Sequence, residues 1–209
     1  MAVTLDTSAA QTGTANASRS VTITTTAACL CLMYASADVQ LPTTISGGGL
    51  TWNSLVNIAG AYRVWWAWAA TALSSQTITV SGFGVSNTTE RIIFSAWAGT
   101  QNATPGFTNS SGSGAANFSR TATFTGSQQV FHGMQNSTGA STLASNNNDL
   151  LSTVTSLRFM GSYYNTLTTA GVGQTLGFTN TGVWAATIIE IKAAATAGAH
   201  CLASMGCGT

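Results

Sequence analysis

Apolar side chains recur at every second position over short runs of this chain, and no stretch of twelve residues carries a helical stripe. A period of two places successive side chains on opposite faces of an extended strand. Gln76 to Val80 alternates strictly and predicts a half-buried strand ended by Ser81-Gly82. In Tyr62 to Trp68, alternation puts Tyr62, Val64, Trp66 and Trp68 on one face and Arg63, Trp65 and Ala67 on the other. Cys29 to Tyr34 is denser in apolar residues and predicts a strand covered on both faces in its second half. Further strands are expected at Leu50 to Val56, Glu90 to Trp97, Arg120 to Thr125, Gln128 to Met134, Leu157 to Tyr164, Gln174 to Phe178 and Val183 to Lys192. The glycine run Gly47-Gly48-Gly49 marks a turn. Gly99 to Ser119 and Asn136 to Asp149 are expected to be long loops. Many short strands separated by Gly- and Asn-rich turns predict an all-β jelly roll or antiparallel β-sandwich. No repeat of fixed period and no break in composition marks a second domain. The expected organisation is one domain over residues 1–194, with an N-terminal arm of about 20 residues and a small-residue tail over 195–209.

Only six basic and five acidic residues occur among 209, scattered singly, for a formal net charge of +1. The chain nevertheless holds six Trp, eight Phe and four Tyr, the reverse of a disordered composition. Solubility must rest on hydroxyls and amides, which suits a protein held in a stable assembly or working outside the cell. No basic stripe is available to neutralise phosphates or anionic headgroups, so neither nucleic acid nor membrane is expected as a partner. The opening Met1-Ala2-Val3-Thr4-Leu5-Asp6 has no secretory pattern, and apolar runs such as Val64 to Ala70 are too short to cross a bilayer. A protein made in the cytosol and released by lysis satisfies both observations, and a mature secreted fragment also fits if its Met1 is a new initiator.

Candidate site residues are few. Cys29 and Cys31 share a strand face and are poorly placed to bond to each other, whereas Cys201 and Cys207 could close a small disulfide loop in the tail. Unpaired buried or tail thiols rank ahead of that disulfide. A zinc site from Cys29, Cys31, His200 and Cys201 ranks last, because C-x-C is not a usual zinc spacing. Trp66 and Trp68 are expected to fill the core, while Trp65, facing with Arg63, is the candidate for an interface or ligand contact. Glycosidic hydrolysis normally needs paired carboxyl groups about 5–10 Å apart, yet no acid here is flanked by a second. His132 has no sequence partner and no nucleophile elbow is present, so no catalytic residue is assigned. Glu90-Arg91 and Glu190-x-Lys192 read as surface or inter-strand ion pairs. The loop Asn146 to Asp149 offers oxygen ligands without a calcium-loop pattern and reads as a solvated turn. Asn-x-Ser/Thr sequons such as Asn16, Asn87 and Asn102 follow from composition. No cofactor is expected.

Over residues 3–194 the order of segments resembles a jelly-roll domain common in bacterial surface proteins and tailed-phage structural proteins. The matching segments are Val3 to Asp6, Leu30 to Tyr34, Ile45 to Trp52 with its glycine turn and Leu-Thr-Trp strand, Arg63 to Ala70, Gln76 to Val80, Ile92 to Trp97 and Trp184 to Lys192. The resemblance implies a virion-surface role as a non-catalytic capsid decoration or cement protein, with the major capsid protein as partner and a homo-oligomer, a trimer, as the working state. The alternative it carries is a carbohydrate-binding module of a tail fibre or adhesin, with a glycan at Trp65. Fold alone does not decide between them.

Overall fold

The computed structural model describes residues 2–114, 116–121, 130–137, 141–143, 148–154, 159–164 and 173–194, with side chains described over 2–114 and 181–194. The fold is all-β and antiparallel, as the period of two predicts. Eight strands fill the first half: β1 (Thr4–Gly13), β2 (Ser18–Ile23), β3 (Cys29–Ala37), β4 (Thr44–Gly47), β5 (Asn53–Ile58), β6 (Tyr62–Ala69), β7 (Gln76–Ser81) and β8 (Glu90–Ala98). The chain behaves as a long two-stranded ribbon whose arms pair β1 with β8, β2 with β7 and β3 with β6. Rolling that ribbon brings β8 against β3 and β7 against β4, and β5 returns beside β6. The result is a jelly roll of two facing sheets, β1-β8-β3-β6-β5 and β2-β7-β4.

The second half repeats this plan. Its strands are β9 (Gly106–Ser113), β10 (Ala116–Thr121), β11 (Val130–Ser137), β12 (Ser141–Leu143), β13 (Asn148–Val154), β14 (Phe159–Tyr164), β15 (Gly173–Asn180) and β16 (Val183–Ile191). Each of the first unit's six pairings recurs eight strands later, giving sheets β9-β16-β11-β14-β13 and β10-β15-β12. Even the irregularity recurs: β5 slips register between Ser54 and Val56 against β6, and β13 between Leu150 and Ser152 against β14. The span read from sequence as one sandwich thus holds two units of one topology, joined by a short link. Two expected loops change accordingly, since Gly99 to Ser119 contains β9 and the start of β10, and Asn136 to Asp149 contains β12 and the start of β13.

Two cores stack across the large sheet of the first unit. One side of β3, β6 and β8 (Cys29, Cys31, Met33, Trp65, Ala67, Ile92, Phe94) closes on Val21, Ile23, Ile78 and Val80 of the small sheet. The other side (Leu30, Leu32, Tyr34, Tyr62, Val64, Ile93, Trp97) closes on Ala185, Ile189 and Ile191 of β16. Every residue of β3 is therefore buried. In register, β8 positions 91, 93, 95 and 97 correspond to β16 positions 185, 187, 189 and 191, because both sets sit at matching places against β3 and β11. The two large sheets thus meet through equivalent faces. The expected N-terminal arm is built into the sandwich: β1 pairs with β8 along its length, and Val3 belongs to the shared core.

Candidate functional site

The turns β1–β2, β3–β4, β5–β6 and β7–β8 all leave the first unit at one end, because strand pairing aligns Gly13, Ala37 and Glu90 in one row. Asn87, 1% exposed, is the hub of this loop pole. Its Oδ1 accepts from the Val39 and Gln40 amides at 3.2 and 2.8 Å, its Nδ2 donates to the Gln40 carbonyl, and its own carbonyl accepts from the Ala15 amide at 2.9 Å. Ala15 is held there at φ 48, a conformation that non-glycine residues seldom adopt. Asp38 ties the same loops together, accepting from the Thr88 and Thr89 amides at 3.1 Å and from the Thr88 hydroxyl. Slight burial raises the Asp38 pKa, but these bonds outweigh it and hold the carboxyl below its ordinary value.

Beneath the pole, Arg19 Nε donates to the buried Glu90 carboxylate at 2.8 Å, and the same guanidinium reaches the Thr14 carbonyl at 3.0 Å. Glu90 also accepts from the Asn16 amide at 3.0 Å. Gly13 makes room for this cluster, since a Cβ there would sit 1.9 Å from the Arg19 guanidinium carbon. The expected local pair with Arg91 is therefore replaced by one that spans 71 positions. Glu190 is likewise buried rather than at the surface. The buried Asn87 offers no sequon surface.

Among described side chains Glu90, Arg91 and Glu190 are buried, Asp6, Arg19, Arg63 and Lys192 are half-buried, and only Asp38 is exposed among the charged ones. The outward positions of the small sheet are all hydroxyls: Ser18, Ser20 and Thr22 on β2, Thr77, Thr79 and Ser81 on β7, Thr44 and Ser46 on β4. Cross-strand partners bond to one another, as Ser20 to Thr79 at 2.8 Å.

The aromatic strand keeps its predicted faces but not their predicted exposure. Trp65 is 6% exposed and packs in the core between the two sheets of the first unit, so it is no surface platform. Trp66 and Trp68, expected inside, are half-buried at the rim of the shared core. Sequence periodicity could not find this, because β6 is covered on both sides. Arg63 is half-buried, and its Nε has no hydrogen-bond partner among the described residues. In the shared core the Tyr62 hydroxyl meets Thr187, whose hydroxyl donates to Asn109 Oδ1 at 2.6 Å. Burial pushes the Tyr62 and Tyr34 phenols up, so both stay neutral.

Cys29 and Cys31 are buried free thiols with sulphurs 3.8 Å apart. That contact lowers the Cys29 pKa, against its burial, and with burial raises that of Cys31. Two strand rises of about 3.4 Å separate their Cβ atoms, more than the roughly 3.5–4.5 Å a disulfide needs. Among the described residues no three His, Cys, Asp or Glu side chains converge as metal ligands. Cys201, Cys207 and His200 lie outside the described residues, as do Asn146, Asn147 and the side chains of His132 and Asp149. Compared with protein-family models, curated proteins and solved structures, the chain matches none.

Proposed function

We propose that this chain is a phage virion structural protein of the decoration or cement type, which reinforces a capsid through non-catalytic contacts at the virion surface and works as a homo-oligomer, a trimer. One observation carries the reading: of the eight charged side chains described, three are buried, four are half-buried and only Asp38 is exposed, over a body of paired strands. A surface of hydroxyls and amides meets a permanent partner without desolvating ions, which is costly even when they pair. It gives little electrostatic steering, and a lattice component present at high local concentration needs little.

The test adds purified protein to heads that lack it. A partner that binds only the assembled lattice stabilises it by RT ln(1 + [L]/Kd), so the heads should resist heat as protein is added. Binding should change little between low and high salt. Heads with unaltered heat resistance would remove this reading. Sedimentation of the free protein measures the trimer.

A second reading, a carbohydrate-binding module of a tail fibre or adhesin, draws on the half-buried indoles of Trp66 and Trp68, which share one face of β6. Indole faces stack on sugar rings. Saturable binding to a defined glycan, lost in Trp68→Ala, would favour it over the first.

A further inference from the structure

Among the described residues, exposed large apolar side chains gather at one end, Phe107 on β9 excepted. Four are exposed among the described residues: Val39 at 65%, Val85 at 76%, Val183 at 62% and Phe107 at 39%. Val39 lies in the β3–β4 loop and Val85 in the β7–β8 loop, both on the pole organised by Asn87. Val183 opens β16 beside the β9–β10 turn, whose Gly114 amide donates to the Gly182 carbonyl at 3.3 Å. The second unit points the same way as the first. Tyr62, which opens β6 at the loop pole, bonds to Thr187 in the middle of β16, and further along the chain Ala193 bridges Thr100 just past the far end of β8. β16 thus runs from the loop pole to the base alongside β8, and Val183 belongs to the same pole as Val39 and Val85.

Two further observations single out this pole. The one exposed charge among the described side chains, Asp38, directly precedes Val39 on this pole, with hydrogen bonds from its own loops and no cation paired to it among the described residues. The loops are also fixed before any partner arrives, through the buried Asn87 hub, the Asp38 bonds and the strained Ala15. Preorganised loops lose little conformational entropy on binding, and exposed apolar groups on such loops gain most from being covered.

We propose that the loop pole is the docking surface for a protein partner whose face is otherwise uncharged, with shallow apolar hollows for Val39 and Val85 and a cationic side chain opposite Asp38. It rests on the capsid reading above, so the partner is the capsid subunit. A nucleic acid or an anionic bilayer would meet the carboxylate with repulsion, and a single uncompensated anion calls for one complementary cation.

The test uses full-length protein and heads that lack it. Val39→Asp/Val85→Asp should keep the wild-type melting temperature and lose head binding by about tenfold or more, as expected when central apolar contacts are replaced. Ser46→Asp, on the outward face of the small sheet, should bind as wild type. Hydroxyl-radical footprinting of wild-type protein on heads gives a readout independent of any variant, and should protect residues 38–40 and 85–88. Wild-type binding with protection elsewhere, for instance at Trp66 and Trp68, would overturn the proposal and leave the cement reading standing. Wild-type protein that does not bind heads would overturn both.

Discussion

Trp65 and Trp66 are chain neighbours, and what each loses on truncation is decided by what lies across its face of β6. Trp65 is enclosed between the two sheets of the first unit, whereas Trp66 stands half-buried at the rim of the shared core. Trp65→Ala should therefore cost about 3–5 kcal/mol, and Trp66→Ala clearly less, in denaturant titrations of both variants. An equal or reversed order would mean the rim is better packed than its exposure indicates. Asp38 belongs to the same scale. Its carboxyl titrates below the ordinary carboxylate value in the folded protein, so its contribution is whole above that value and is lost as pH falls through the lowered one, below about 4. Protection from amide exchange at Thr88 and Thr89, taken relative to the intrinsic rate at each pH, should fall in that window before the core strands open; protection unchanged down to global acid unfolding would mean the carboxylate does not hold the loops. Neither site was fully legible in the sequence. Alternation assigned the faces of β6 correctly, but exposure depends on how many layers cover a strand. The Arg19–Glu90 pair and the Asn87 hub join positions dozens of residues apart, beyond any local pattern.

At the scale of elements, the strands with strict alternation or dense apolar runs could be read: β16 lies within its expected segment, and β3, β6, β7 and β8 start where expected and run one to three residues further. β9 could not, because Gly106–Ser113 is rich in Gly, Ser and Asn, and becomes a strand only by pairing with β16. The doubling of the fold was hidden for a related reason. Equivalent strands keep pairing order but not side chains, as Cys29–Ala37 beside Val130–Ser137 illustrates. A trace survives where backbone geometry is demanding. Gly13 opposite Glu90 and Gly112 opposite Trp184 occupy matching positions, and at each an added Cβ would collide with an overlying side chain. The N-terminal segment supplies the element-scale prediction. Removing residues 1–20 takes away all of β1 and half of β2, bares the edge of β8 and removes Val3 from the shared core. The truncated chain should lose near-ultraviolet circular dichroism and become aggregation-prone at the opened edge. Retention of a wild-type near-ultraviolet spectrum would show the segment to be the dispensable arm that its sequence resembles.

At the scale of the molecule, the question is whether two jelly rolls in one chain behave as two bodies or one. Independent units would each keep their apolar area within their own sandwich. Here the large sheets bury equivalent faces against one another, and Leu32, Tyr34, Tyr62 and Ile93 of the first unit share a core with Ile189 and Ile191 of the second. The Tyr62–Thr187–Asn109 hydrogen bonds cross that boundary, and the link is pinned by Ala194 donating to the Gly99 carbonyl at 2.8 Å and Gln101 to the Lys192 carbonyl at 3.2 Å. Separating the units would expose both sheet faces and leave buried hydroxyls unpaired, so neither should persist once the other opens. Heating should therefore give one transition, coincident by far- and near-ultraviolet circular dichroism, with calorimetric and van't Hoff enthalpies in agreement. Ile189→Asp makes the test sharper. It places a charge in the shared core, and a buried unpaired charge destabilises strongly. Coupled units would shift to a lower temperature together as one transition. Independent units would melt in two steps, with only the step of the second unit displaced.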